Sequence, residues 1–367
     1  MLIALIVIIG LSLLILGHEA GHFLAAKAFG LKVDEFGFGF PPRIAAKKIG
    51  ETEYSINWLP FGGFVRIAGE RGGFALTEGE EGDPKNDGVD GGMAAGLRNP
   101  TETPEDERRK FYVQPAWKKS IIILAGVFTN FLLGWLFITI VLMTGVPQTL
   151  VVGATEHGSP AAAAGMQAGD IIEGYTNAQS FITYIDAHKG APVTVTVLRN
   201  DKTITFTMTP RTNPGPNQGA IGVALEQGGA KREGFFAALR DGLFAAGNIS
   251  ILTVQAFWHL IVQVFTKASI PAGIVGPVGI FGVAEETGRI GLTYLLQFIG
   301  IISLNLMVVN CIPFPALDGG RFVFILVEKI RRAPLSYKVE AWVNGIGFAL
   351  LLALMIALTV RDIHGLI

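Results

Sequence analysis

Residues 11–30 read LSLLILGHEAGHFLAAKAFG, and they close an apolar run that starts at Met1. The run exceeds the roughly 20 residues a helix needs to cross a bilayer, yet it carries His18, Glu19 and His22. Ionisable groups inside such a segment are costly, so function is the first reading to weigh. The rest of the chain has the same membrane character. Of its 367 residues, 50% are hydrophobic and 16% are charged, against roughly 25% charged in soluble domains. This balance indicates a polytopic α-helical membrane protein carrying some soluble mass. A formal net charge of -1 gives no sign of a nucleic-acid partner, and with Cys311 as the single cysteine no intramolecular disulfide can form.

Four stretches are long and apolar enough to span: 2–28, 120–145, 291–312 and 342–360. The first also resembles a signal peptide, with a small-x-small site at Ala26-Lys27-Ala28. It lacks a preceding Lys or Arg and is long for a signal peptide's apolar stretch, so it reads as a retained helix. Lys27 and Lys32, the group from Arg108 to Lys119, and the group from Arg321 to Lys338 mark their loops as cytoplasmic. The N-terminus and residues 147–290 then lie outside. A fifth stretch, 243–266, would reverse this order if it crossed alone. Asn248, Gln255, His259 and Gln263 give it a polar stripe, so it reads as an interfacial amphipathic helix within a 212–290 connector.

Residues 30–68 form an aromatic, glycine-rich element. Tyr54, Ile56 and Trp58 alternate with polar residues, Pro60–Gly63 predicts a turn, and Phe64–Ile67 predicts a returning strand. This membrane-associated β-hairpin is expected on the cytoplasmic side, dipping into the membrane face or packed beside the helices. The remaining loop, 69–119, is rich in Gly, Glu, Asp and Pro from 69 to 106 and reads as flexible. Outside, VTVTVLR (193–199) and TITFTMTP (203–210) predict a hairpin about Asn200-Asp201-Lys202. Before it stands GSPAAAAGMQAGDIIEGY, whose Gly165, Gly169 and Asp170 resemble a PDZ domain, giving an inserted α+β unit at 148–211. Such domains bind peptides by strand addition.

His18-Glu19-Ala20-Gly21-His22 fits H-E-x-x-H, in which two His one turn apart share a helix face and both reach a metal. Glu19 beside them can take a proton from an attacking water. His18 lies about 16 residues into its helix, or roughly 24 Å, in the cytoplasmic third where water has access. Catalytic zinc takes three protein ligands. Asp318, in NCIPFPALDGG (310–320), follows the third span at the same membrane face. Pro313 and Pro315 break the helix, and Gly319-Gly320 lets the chain turn back. Asp318 has a competing reading as a helix N-cap, and Cys311 has one as a ligand. His157, His188, His259 and His364 read as surface or interfacial residues.

His18-Glu19-x-x-His22 in the first span, a PDZ-like unit outside, and Asn310-x-x-Pro313-x-Pro315-x-Leu317-Asp318-Gly319 after the third together resemble the site-2 protease family. The nearest type is its bacterial branch, the regulator of sigma-E protease type, and the resemblance covers nearly the whole chain. It implies a Zn2+ metalloendopeptidase of the bacterial inner membrane that acts in stress response by intramembrane proteolysis. His18, His22 and Asp318 would hold the zinc and Glu19 would be catalytic. Asn310, Pro313 and Pro315 would bind substrate. The substrates would be single-span membrane proteins already trimmed by another protease, such as anti-sigma factors or remnant signal peptides. Residues 30–68 would be the family's membrane-reentrant β-element, and Gly276-Pro277-Val278 falls where the family has a similar segment. Asn130, after Ala125-Gly126, also fits the family pattern. That type often has two tandem PDZ domains, whereas this sequence has one. Two readings compete with an enzyme. One is an inactive membrane scaffold that binds partners through its PDZ-like unit. The other is a metal transporter, which would need polar residues spread across the bilayer rather than clustered at one end.

Overall fold

The computed structural model describes residues 2–70, 103–199, 202–215, 218–267 and 276–366. In chain order the elements begin with α1 (Leu2–Ala28), β1 (Val33–Ile49), β2 (Thr52–Ile67), α2 (Pro104–Arg108) and α3 (Ala116–Thr144). There follow β3 (Val146–Thr155), α4 (Pro160–Ala164), β4 (Ile171–Ile172), α5 (Ala178–Ala187), β5 (Val193–Arg199), β6 (Lys202–Met208) and β7 (Val223–Ala230). The chain ends with α6 (Phe235–Lys267), α7 (Pro277–Ile290), α8 (Leu292–Cys311), α9 (Asp318–Arg331) and α10 (Tyr337–Leu366). It divides into two units, Thr139–Leu239 and the remainder.

Among the described residues five helices are long and apolar enough to cross a membrane: α1, α3, α6, α8 and α10. Four of these overlap the predicted spans. The fifth, α6, extends the predicted 243–266 stretch at its N-terminal end. Part of the predicted flexible loop, 71–102, lies outside the described residues. The rest of it is ordered into α2, a 3-10 turn at Phe111–Val113 and the start of α3.

In the larger unit, small residues let helices meet backbone to backbone, as membrane helices do where apolar burial gives no drive. A Cβ on Gly21 would lie 2.5 Å from the Ala125 carbonyl oxygen, and one on Gly134 would lie 3.1 Å from that of Gly300. A Cβ on Gly10 would meet the Ile299 side chain at 2.7 Å. These contacts lock α1 to α3, α3 to α8, and α1 to α8. Val7, Leu14, Leu295 and Ile299 fill the core at the end where α1 and α8 begin, and Ala26, Phe111, Ile122 and Ile325 fill the other.

The β-element corrects the predicted hairpin. Tyr54–Trp58 and Phe64–Ile67 do not pair with each other, because both belong to β2 and flank β1 on opposite sides. Residues 33–38 pair with 63–67 along one edge and with 53–56 along the other, while 43–49 pair with 52–57. Pro60–Gly63 is thus a bend within a strand. The sharp change of partner in β1 uses Gly39, whose φ is +79 and where a Cβ would meet the Leu59 carbonyl oxygen at 2.5 Å.

Glu51, at the tip joining β1 to β2, ties this element to α1. It accepts a bidentate pair from Arg109 (2.8 and 2.7 Å) and a hydrogen bond from Lys27 at 2.6 Å. Arg109, then Lys27, hold its carboxyl down to about 2.

The smaller unit is a five-stranded sheet in the order β6-β5-β4-β3-β7, with antiparallel neighbours. The predicted β5–β6 hairpin is present, its turn residues 200–201 lying outside the described residues. Residues 223–230, read from sequence as part of a connector, form β7 and pair along β3. The predicted boundary at 211 therefore falls short. The signal was weak, because β7 ends in Gly228-Gly229 and follows a Gly/Pro-rich segment. Leu150, Ile172, Phe181, Val195 and Val197 form the core. Asp170 is buried within it. Burial pushes its carboxyl up, but Arg199 at 2.6 and 2.7 Å and the Gln167 N–H outweigh this and hold it below the usual range.

Candidate metal centre

His18 and His22 lie one turn apart on α1, both buried. Two residues of α3 hold their rings. His22 Nδ1 is 2.8 Å from the Ile122 carbonyl oxygen, and His18 Nδ1 is 3.2 Å from the Asn130 side-chain amide. Opposite them, Asp318 opens α9. Leu317 is the N-cap and makes no side-chain cap bond, so the capping reading of Asp318 does not hold. Its carboxylate turns inward instead. Asp318 Oδ2 is 3.0 Å from His18 Nε2 and 3.4 Å from His22 Nε2, and the two Nε2 atoms are 3.2 Å apart.

This triangle fits zinc. A tetrahedral ion with ligands at about 2.0–2.1 Å sets its donor atoms about 3.3 Å apart. Asp318 Oδ2 is buried and faces both Nε2 atoms, the arrangement expected of lone pairs aimed at a shared cation. Two imidazoles and one carboxylate are a catalytic zinc donor set with a position left open. Among the described residues these three form the cluster able to hold a metal. Cys311 is exposed and lies outside it, as do the other histidines.

The centre opens on a cavity of about 270 Å³ lined by Ile15, His18, Glu19, Asn130, Leu306, Asn310, Ala316, Leu317 and Asp318. Glu19 lies against β2, where a Cβ on Gly63 would lie 3.5 Å from Glu19 Cγ. Asn310 lines the cavity, whereas Pro313 and Pro315 lie outside its lining. Pro313 is exposed, and the Pro315 carbonyl oxygen would lie 2.8 Å from a Cβ on Gly347 of α10. Gly319 and Gly320 also act differently from expectation. Neither takes a left-handed turn. They are helical and let the first turn of α9 press on residues 311–315, where a Cβ on Gly319 would meet the Cys311 carbonyl oxygen at 2.6 Å.

The sequence reading missed several participants. Ala316 sits at φ +71 with its N–H donating to Asn344 Oδ1 at 3.1 Å. This left-handed residue cost is of order 1 kcal/mol. Arg321, one turn after Asp318, pairs with Glu70 at 2.7 Å and fixes the start of α9 to the end of β2. A charged residue next to the Gly-Gly pair was the one visible hint.

The chain is similar to known proteins over nearly its whole length. The description of peptidase family M50 matches residues 6–354. The regulator of sigma-W protease RasP of Bacillus subtilis is 30% identical over 425 residues, covering 99% of this chain and 98% of that protein. The zinc metalloprotease RasP of Geobacillus kaustophilus is 32% identical over 423 residues, covering 99% and 97%.

Proposed function

The chain belongs to peptidase family M50, the site-2 proteases, as a multi-pass membrane zinc metalloendopeptidase, and we propose that it cuts inside the transmembrane segments of single-span membrane proteins. The observation that carries this is the convergence of His18, His22 and Asp318 beside Glu19, within helices of membrane-spanning length. Zinc, when bound there, supplies Lewis-acid activation of the water and the scissile carbonyl.

The chain's own residues do the rest. Glu19, facing the cavity, takes the proton of the attacking water and returns it to the leaving amine. A substrate helix must unwind to expose a peptide bond, and its freed backbone groups then need partners, each worth several kcal/mol in lipid. The β2 edge near Gly63, next to Glu19, offers backbone partners for an added strand. Asn310 offers an amide on the opposite wall.

Four crossings, rather than five, suit the way the helices run. α1 and α8 both end at the metal centre and α3 begins there, so α3 ends and α8 begins at the opposite membrane face. The chain between them returns to the face it left, and α6 alone would break that parity. Of the other described helices between them, α7 is the longest, and its 14 residues give about 21 Å, short of a crossing. The Lys/Arg-rich loops put the metal centre at the cytoplasmic face and the sheet unit outside. In that unit the edge strand β7 lies beside α5, where Gln227 donates to the Thr176 carbonyl oxygen at 3.1 Å. This suits a PDZ-like groove that reads the tail of a substrate trimmed by another protease. The name of the Bacillus subtilis relative points to anti-sigma factors as one substrate class, and remnant signal peptides are a second. The scaffold alternative is disfavoured by the complete ligand set and base.

Purified wild type and Glu19→Gln, each with a single-span substrate in detergent, test the reading. Both are expected to bind zinc, with cleavage falling about 10²–10⁴-fold in the variant. Equal cleavage rates would remove Glu19 from its role.

A further inference from the structure

We propose that Asn130 is a positioning residue for His18: its side-chain carbonyl accepts from His18 Nδ1–H and so leaves Nε2 bare for the metal. This rests on the reading of His18 as a ligand. Three observations lead to it. Asn130 is 1% exposed, its amide lies 3.2 Å from His18 Nδ1, and Asn130 Oδ1 is buried with no hydrogen-bond partner.

The oxygen and nitrogen of an amide exchange places by a half-turn, and their assignment follows from the hydrogen bonds they make. With the amide nitrogen toward the ring, Nδ1 must accept, and the ring proton sits on Nε2. That is the atom 3.0 Å from Asp318 Oδ2 and 3.2 Å from His22 Nε2, and a protonated Nε2 cannot ligate. With the oxygen toward the ring, the ring proton sits on Nδ1 and the amide nitrogen takes the place that Oδ1 held. The orphaned Oδ1 gains a donor, and the Nε2 lone pair points at the other two ligand atoms.

His22 shows the same arrangement made by other means. Its Nδ1 faces the Ile122 carbonyl oxygen, a pure acceptor, at 2.8 Å. Both orienting groups therefore come from α3, two turns apart, on the face held against α1 by the Gly21–Ala125 contact. Asn130 is itself held in place, since Ser303 Oγ donates to its backbone carbonyl at 2.7 Å from α8. One ligand is oriented by backbone, which no substitution removes, and the other by a side chain, which one substitution can. Partners of this kind fix the tautomer and ring orientation of a metal-bound histidine.

The test measures zinc affinity of the full-length protein by competition with a chelator, and the cobalt(II) absorption spectrum of the same samples. Asn130→Leu and Asn130→Ala are expected to weaken zinc binding about 10–100-fold and to alter the cobalt spectrum. Asn130→Asp keeps an acceptor at the same place, so it is expected to bind within a few-fold of wild type with a near-native spectrum. Wild-type affinity in the leucine and alanine variants overturns the proposal. So does an Asn130→Asp protein that binds as weakly as they do. If Asn130→Leu fails to fold, the alanine and aspartate variants decide by the same comparison. A wild type that binds no zinc would instead remove the ligand reading beneath it.

Discussion

Gly126→Ala should strip the zinc while leaving the helices in place. Gly126 lies on α3 opposite His22, and a Cβ there would lie 2.6 Å from His22 Cε1 and 2.9 Å from Cδ2. Carbon atoms in contact rest at about 3.5–4.0 Å, so the ring must retreat by about 1 Å. It has nowhere to go on its own terms, because Nδ1 is anchored to Ile122 at 2.8 Å and Nε2 belongs to the ligand triangle. Metal–ligand distances tolerate about 0.2 Å, so the shift costs a full ligand. A loss of zinc affinity of at least about 100-fold follows, exceeding what a supporting residue alone contributes. The assay is zinc retained per chain after dialysis against graded chelator, with helical content checked by circular dichroism. Gly247→Ala on α6 is the control, since nothing lies within 4 Å of a Cβ there. It should keep full zinc and gain up to about 1 kcal/mol from helix propensity. If Gly126→Ala holds zinc as tightly as wild type, the close approach of α3 does not set the position of His22.

Two further outcomes are expected. Glu51 has its folded-state carboxyl at about 2 against an ordinary 4.5, so its stabilisation is complete above about pH 4.5 and lost as pH falls towards 2. The side chain is about a third exposed, so solvent screening reduces the effect to about 1 kcal/mol. Thermal melts of wild type and Glu51→Gln should differ by that amount at pH 7 and converge towards pH 2; a constant difference would contradict the pairing. Asp170→Ala removes a buried carboxylate and its charge-assisted bonds from the smaller unit, costing about 2–4 kcal/mol. Limited proteolysis of the full-length variant should then show faster cutting within 139–239, and an unchanged cleavage pattern would count against that role.

The local parts of this protein were legible in its sequence. Apolar length and helical spacing are properties of contiguous residues, so α1, α3, α8 and α10 could be read directly, as could the common face of His18 and His22. Lone polar residues in apolar helices pointed to chemistry, because lipid makes them costly wherever they sit. Alternation of side chains revealed β5 and β6, but it could not tell which strand pairs with which, and β1 changes partners midway. Asp318 reaches histidines some 300 residues away through helix contacts that several glycines permit, and no periodicity reports those crossings. The same packing set Asn130 beside His18, placed Gly63 near Glu19 and turned Pro315 toward α10. Residue type and spacing named the reactive groups. Their distances came from close helix packing, where a single methyl group is enough to move a ligand.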